Sequence, residues 1–431
     1  MNFLSAVVIF ILAYIIIISE KIHRTKIALL GACLLIFFKV FKFEKAIHYI
    51  DFNTIFLLIG MMILVNIVKE TGLFEYLSIK LVKLVKGEPL KIMIALSLLT
   101  AISSAFLDNV TTVLLISPIT ILITQTLNKN PTPFLIAQIF TSNIGGTATL
   151  IGDPPNIVIG GATDLSFLDF LVYLGPISLI SLIIIIALLA IIYRKDWTYY
   201  KDTEMILNEM DETKAIKDKS LLIKSIIILL LTITAFFLHS ILNIEAGIIA
   251  LTGGILLSII GKIDINNVLE KVEWPIIFFF IGLFMLVGGL EEVGILGDIA
   301  KFTVSTTNNI FILTLIILII SAVFSSVIDN IPFVVAMIPI LKEISHSLYP
   351  TLSGMELMHS SMPLWWALAI GACFGGNGTL IGASANLVVS GLSEKTKEPI
   401  QFWNYIKVGF PIMCITIIIA AIYIYFRFFM K

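Results

Sequence analysis

Two Asp-Asn pairs, Asp108-Asn109 and Asp329-Asn330, and two glycine-rich stretches are the polar groups with which this chain could do chemistry. The stretches read "GGTATLIGDPPN" from Gly145 to Asn156 and "GGNGTLIGASAN" from Gly375 to Asn386. Carboxylates, amides, hydroxyls and carbonyls freed by glycine are oxygen ligands, suited to a hard cation or, at a carboxylate, to a proton. One candidate ion- or substrate-binding set is therefore Asp108, Asn109, Gly145, Gly146, Thr147, Thr149 and Asn156. The other is Asp329, Asn330, Gly375, Gly376, Asn377, Thr379 and Asn386, and Asp108, Asn109, Asp329 and Asn330 are the Na+ candidates. Each Asp could instead only cap a helix, each Asn only tie loose backbone ends, and the glycines only permit tight helix packing. Asp153 stands outside these sets, because its partner position is Ala383 and "DPPN" also reads as a rigid turn.

These groups sit in a chain of 431 residues that is 58% hydrophobic and 13% charged, with mean hydropathy +1.05. Such values lie outside soluble norms and place the chain in lipid. Apolar runs long enough for a bilayer core recur along it, for example Phe3 to Ser19, Leu171 to Tyr193 and Tyr405 to Phe426. The first run lacks a basic start and a small-residue cleavage site, so it reads as a retained helix. A net charge of −1 says nothing about partners, and nothing points to nucleic acid. Cys33, Cys373 and Cys414 show no paired spacing, so no disulfide is expected.

The elements that must position the polar groups repeat. "IDFNTIFLLIGMMILVNIVKETG" from Ile50 aligns with "VEWPIIFFFIGLFMLVGGLEEVG" from Val272, and "SAFLDNVTTVLLISPI" from Ser104 with "SSVIDNIPFVVAMIPI" from Ser325. The landmarks keep one order in both halves, which indicates duplication. Each Asp-Asn pair interrupts an apolar segment near its middle, which reads as a re-entrant hairpin of two short helices with a polar tip. Each glycine stretch reads as a break in a spanning helix, tolerated where protein or a water-filled cavity satisfies its backbone. With the hairpins re-entrant, five crossings separate equivalent points, and an odd number inverts the repeats. The expected fold is an all-α polytopic membrane protein with about 11 transmembrane helices. Its parts are an N-terminal helix at 1–19, a first repeat at 25–193 (hairpin about 91–126, broken helix about 134–162), a linker at 194–224, a connecting helix at 225–245 and a second repeat at 246–431 (hairpin about 309–341, broken helix about 363–391). Two tips and two breaks should converge near the midplane.

Placing the N-terminus outside puts 21 of the 28 Lys and Arg, with the linker 194–224, on the cytoplasmic side of a plasma membrane. An enzyme is not expected: there is no phosphate-binding Gly-x-x-x-x-Gly-Lys-Ser/Thr loop, and the five histidines lack metal-ligand spacing.

The pairing of "SAFLDNVTTVLLISPITI" with "SNIGGTATLIGDPPNI", and of "SSVIDNIPFVVAMIPI" with "GACFGGNGTLIGASANLVVSG", resembles the P-protein (pink-eyed dilution) group of permeases over nearly the whole chain. That group stands with arsenite permeases and D-type sodium/proton antiporters in the ion transporter superfamily. The resemblance, through the related divalent-anion/sodium symporters, implies a homodimer with paired Na+ sites. By position these fall at Asp108, Asn109 and the Gly145 to Gly152 break, and at Asp329, Asn330 and the Gly375 to Gly382 break. Those symporters carry Ser-Asn-Thr at the tips; here carboxylates replace hydroxyls, and no Lys or Arg is read within the membrane to balance an anion. The leading reading is therefore an ion-coupled secondary transporter that exchanges Na+ for H+ by alternating access, with Asp108 and Asp329 titrating and no cofactor beyond these ions. Coupled transport of an anion or oxyanion such as arsenite or a carboxylate comes second, an anion channel third.

Overall fold

The computed structural model describes residues 2–19, 21–163, 165–198 and 211–430. Among them all regular structure is helical: two runs of ten α-helices, a 3-10 turn between them and a π-helical end at Tyr425–Phe429. The first run is α1 (Asn2–Ser19), α2 (Arg24–Phe37), α3 (Phe43–His48), α4 (Phe52–Glu70), α5 (Leu73–Leu84), α6 (Pro89–Phe106), α7 (Asn109–Thr126), α8 (Thr132–Thr147), α9 (Pro154–Ala162) and α10 (Phe167–Ile192). The second is α11 (Lys219–Leu242), α12 (Ala246–Gly261), α13 (Ile265–Glu270), α14 (Trp274–Glu292), α15 (Ile295–Thr306), α16 (Ile310–Val327), α17 (Asn330–Leu348), α18 (Gly354–Gly375), α19 (Ser384–Ser393) and α20 (Phe402–Ile424). Each helix thus has its counterpart ten places on, and α1 and α11 take equivalent places at the head of each run.

Ten helices are long and apolar enough to cross a membrane among the described residues, while α1 and α12 are shorter apolar helices. The hairpin arms are not the short helices expected from the sequence. Helices α6, α7 and α16 have 18 residues each and α17 has 19, about 27 Å at 1.5 Å per residue. Pro118 and Pro339 lie inside α7 and α17 without ending them, as neighbouring helices in a membrane protein allow. Pro363 likewise lies inside α18, so this helix starts at Gly354, ahead of the expected 363. Two-residue connections, Leu107-Asp108 and Ile328-Asp329, reverse the chain at each tip.

The scaffold is interlocked. Helix α4 packs on α12 of the other run, and α2 packs on α14. Gly60 lies against the backbone of Ala250 and Leu251, and its counterpart Gly282 against Ala28 and Leu29. A methyl group at either position would collide with main chain, so the small residue is what lets the helices approach. The second body is the hairpins and broken helices: α6 packs on α8 and α16 on α18. There Gly145 meets the Ala101 backbone and Gly375 the Ala322 backbone.

Basic connections join one another. Lys271 pairs with Glu70, Lys83 with Glu212 at 2.5 Å, and the Lys217 amide donates to the Thr71 carbonyl. Lys129 donates to the Thr198 carbonyl at 2.5 Å, and Asn130 to Glu398. Glu70 and its counterpart Glu292 both close the end of a scaffold helix with a lysine, Glu292 with Lys45 at 2.6 Å. Residues 199–210 of the expected linker lie outside the described residues; beyond them come a 3-10 turn, Glu212–Ala215, and then α11.

Candidate functional site

The tips form because Asp is a strong N-cap. The Asp108 carboxylate accepts from the Thr111 amide at 2.8 Å and starts α7; the Asp329 carboxylate accepts from the Ile331 amide at 3.2 Å and starts α17. Capping leaves the next residue, Asn109 or Asn330, to reach inward, and both are buried.

What they reach is Asp153. Its Oδ1 accepts from Asn109 Nδ2 at 3.2 Å and from Asn330 Nδ2 at 3.4 Å, so one carboxylate joins the tips of both halves. Asp153 is fully buried, and its Oδ2 has no hydrogen-bond partner; the Cys373 thiol, a weak donor, lies beside it. Local sequence explains why this carboxylate is free to point into the site. Asp153 stands at the N-cap of α9, where a side chain ordinarily accepts from the amides of the first turn. Pro154 and Pro155 remove the first two of those amides, and Asp153 makes no capping hydrogen bond. The "DPPN" turn is rigid, and its rigidity delivers the carboxylate.

A second junction lies at Asn143. Its Oδ1 accepts from Asn109 Nδ2 at 3.1 Å, and its Nδ2 donates to Asn377 Oδ1 and to Asn386 Oδ1, both at 3.0 Å. The counterpart of Asn143 is Cys373, whose Sγ lies 3.7 Å from Asn156 Oδ1. The remaining polar residues of the breaks hold backbone. Asn156 Nδ2 donates to the Thr147 and Thr149 carbonyls at 3.0 and 2.8 Å, and Asn386 Nδ2 to the Gly376 and Thr379 carbonyls at 2.7 and 2.9 Å. The Thr149 and Thr379 hydroxyls tie the breaks to the Ala105 and Ser326 carbonyls of the hairpins, and Thr147 bonds back to the Asn143 carbonyl. Gly146 and Gly376 pack on Gly152 and Gly382. The candidate residues are thus brought together, but the amide nitrogens of Asn156 and Asn386 and the hydroxyls of Thr147, Thr149 and Thr379 are spent on carbonyls of the breaks and hairpins.

One expectation is corrected. Arg24, left outside both the expected N-terminal helix and the expected first repeat, is the first residue of α2 and pairs with Asp329. The long side chain reaches from the helix end into the site, as arginine's apolar stem permits. Its guanidinium lies 5.0 Å from the Phe279 ring centroid and 3.5 Å from Ser384 Oγ, which itself donates to Asp329 Oδ2 at 2.8 Å. Sequence reasoning also passed over Asn143 and Glu273. Asn143 lies one helical turn before Thr147 on a wholly buried stretch of α8, and a polar residue at that spacing was the available signal.

A cavity of about 400 Å³ opens on this cluster, lined by Arg24, Asp108, Asn109, Asp153, Glu273 and Asn330 among others. A second cavity of about 400 Å³ is lined by Asn53, Thr54, Thr163, His239 and Glu245. Ile157, on α9, lines both and is 2% exposed; Thr54 Oγ1 reaches its carbonyl at 3.4 Å. An apolar partition therefore divides two polar approaches. No group of three His, Cys, Asp or Glu side chains gathers as a metal cluster among the described residues. An ion here would be held by carboxylate and amide oxygens.

The sequence profile of a family described as CitMHS, "Citrate transporter", matches residues 14–371. An uncharacterized transporter of Mycobacterium tuberculosis is 41% identical over 429 residues, 98% of each chain. The P protein of Mus musculus is 33% identical over 503 residues, which cover 97% of this chain and 60% of that protein. Among solved structures, the YdaH transporter of Alcanivorax borkumensis, whose topology its description calls unusual, aligns with TM-score 0.60 at 13% identity, over 89% of this chain and 87% of that one. The last match bears on fold alone. The chain belongs to the citrate transporter family, within the ion transporter superfamily, and is a transporter.

Proposed function

We propose that this member of the citrate transporter family is an ion-coupled secondary transporter, a homodimer that works by alternating access and exchanges Na+ for H+. Asp153, with Asp108 beside it in the same cavity, binds the cation. The observation that carries this reading is the Asp153 carboxylate: one oxygen held by the tip amides of both halves, the other without a hydrogen-bond partner, in a buried position where an ionised carboxylate needs a counter-charge. A Na+ or a proton at Oδ2 supplies it. The cavity is lined by the carboxylates of Asp108, Asp153 and Glu273 against one arginine, and that arginine is already paired with Asp329. This balance favours a cation.

Alternating access is supported by the two cavities on either side of Ile157. In this conformation α9 and α19 both pack on the other half's hairpin and broken helix, α9 on α17 and α18 and α19 on α7 and α8, and α9 packs in addition against the scaffold helix α4, which closes one approach. Moving the hairpins and breaks against the interlocked scaffold would exchange the two arrangements. With the N-terminus outside, the cavity at Asp153 faces the cytoplasm; a cysteine placed at Lys214 would then react from that side only.

A second reading, coupled transport of an anion, draws on Arg24 and on the family's description. Proteoliposomes decide between them. Under an imposed inward Na+ gradient the internal pH should rise with the native protein and stay flat with Asp153→Asn. No pH change, together with uptake of citrate or arsenite, would sink the exchange reading.

A further inference from the structure

The two tips are alike in sequence and unlike in charge. Asp329 has both oxygens engaged: Oδ1 accepts from the Ile331 amide, and Oδ2 from Ser384 Oγ and the Arg24 guanidinium. Asp108 accepts from the Thr111 amide, with the Thr111 hydroxyl beside it, and among the described residues no Lys, Arg or His pairs with it. The reason lies in the paired sequence positions. Helix α2 begins at Arg24, whereas its counterpart α12 begins at Ala246, too short to reach a tip and preceded by Glu245. The breaks differ in the complementary sense, with Asp153 in the first half and Ala383 in the second. The first tip therefore presents two carboxylates that lack a protein cation, and the second presents one carboxylate that has its own.

A guanidinium placed over an aromatic face and against a carboxylate is a fixed, permanently charged partner. It sits where the first half leaves room for a mobile ion. We propose that Arg24 is a tethered cation which occupies the second of two pseudo-equivalent cation positions, so that the protein binds one Na+ per cycle at the Asp108–Asp153 side and none at Asp329. The proposal rests on the cation-transport reading above and adds to it a stoichiometry and the residue that sets it. Removing the Arg24 charge leaves the Asp329 carboxylate, the Ser384 hydroxyl and the Asn330 side chain as an oxygen-rich position without a counter-charge. Such a group recruits another cation, because a carboxylate only 14% exposed is costly to leave unpaired. Glu273, His23 and Thr25 line the same cavity, and Glu273 adds to the attraction once Arg24 is neutralised.

The test is binding of radioactive Na+ to the purified full-length protein in detergent, with flux in proteoliposomes at set membrane potentials. Native protein should bind one Na+ per chain at saturation, and Arg24→Gln should bind two. Arg24→Gln should also carry one further charge per cycle. Arg24→Lys and the double variant Arg24→Gln/Asp329→Asn should both return to one Na+. Two Na+ in the native protein, or one in Arg24→Gln with unchanged voltage dependence, overturns the proposal. If Arg24→Gln does not fold, Asp329→Asn serves: its unpaired Arg24 should weaken Na+ binding at least about tenfold, equivalent to about 1.4 kcal/mol, and an unchanged affinity overturns the proposal. Native protein that binds no Na+ and moves none would instead remove the cation-transport reading itself.

Discussion

The first tip and break hold two carboxylates, Asp108 and Asp153, and seal the partition with Ile157, which is 2% exposed. In the second half Asp329 is neutralised by Arg24, Ala383 takes the place of Asp153, and Leu387, the counterpart of Ile157, is 41% exposed. The halves keep the same side-chain bonds to backbone carbonyls, from Asn156 to Thr149 and Asn386 to Thr379, and from Thr149 to Ala105 and Thr379 to Ser326. What duplication preserved is therefore the framework of the break, and what has separated is charge. On the cation-exchange reading proposed above, one half carries the ion chemistry and the other balances it.

Substituting the residue that has no equivalent should do the greatest harm. Losing one partner of a buried ionic contact costs about 3–5 kcal/mol, so Asp153→Asn should lower coupled flux by at least about 100-fold while the protein still elutes as a folded species. Flux within a few-fold of native would place the ion elsewhere. The counterpart change should be quieter: Ala383→Ser, which adds no charge, should leave Na+ dependence as it is.

Asn143 and Cys373 give the next contrast. Asn143→Ala removes three buried side-chain hydrogen bonds and strands the amides that met it, a loss of about 2–3 kcal/mol; Cys373→Ala should cost less than about 1 kcal/mol. Thermal midpoints in one detergent would measure both, and equal shifts would show that the two junctions bear equal load.

Between the tips, Asp108→Asn should weaken Na+ dependence about tenfold with little change in midpoint, since Asn caps a helix about as well as Asp. Asp329→Asn breaks the Arg24 pair and should lower the midpoint as well, by about 1 kcal/mol after allowing for its partial exposure. Indistinguishable variants would erase the difference between the halves.

The smallest effect concerns a pair outside both tips. Hydrogen bonding from Lys83 holds the Glu212 carboxyl below its ordinary range. Its folded value being the lower one, the contact contributes fully above the ordinary carboxylate range and is lost as the pH falls through the lowered value. Limited proteolysis should therefore cut near Glu212 faster at acid pH than at neutral pH in the native protein, and Glu212→Gln should flatten that dependence without altering flux. An unchanged acid response in Glu212→Gln would assign it to another group.

The duplication, the capped tips and the helix breaks were legible in the sequence, because Asp-Asn, a proline ten residues on and Gly-Gly…Thr-Leu-Ile-Gly…Asn have local physical causes. Asp153 was passed over for an instructive reason. Matching two halves rewards what they share, and Asp153 against Ala383 looks like a lapse in the match. Arg24 was hidden because its position is set by which scaffold helix lies beside α17 and α19, a tertiary fact. The length of the hairpin arms was obscured by Pro118 and Pro339, whose cost to a helix depends on neighbours that a single sequence does not display.

The exchange of partners in the scaffold, α2 with α14 and α4 with α12, also bears on the history of the chain. Neither run of ten helices can bury its own second or fourth helix, since Gly60 and Gly282 are fitted to main chain from the other run. A half-length ancestor would thus have been functional only as a pair of copies inserted in opposite orientations, each completing the other. Joining two such halves in one chain lets each vary alone, and Arg24 against Ala246 and Asp153 against Ala383 are differences that two identical copies could not hold.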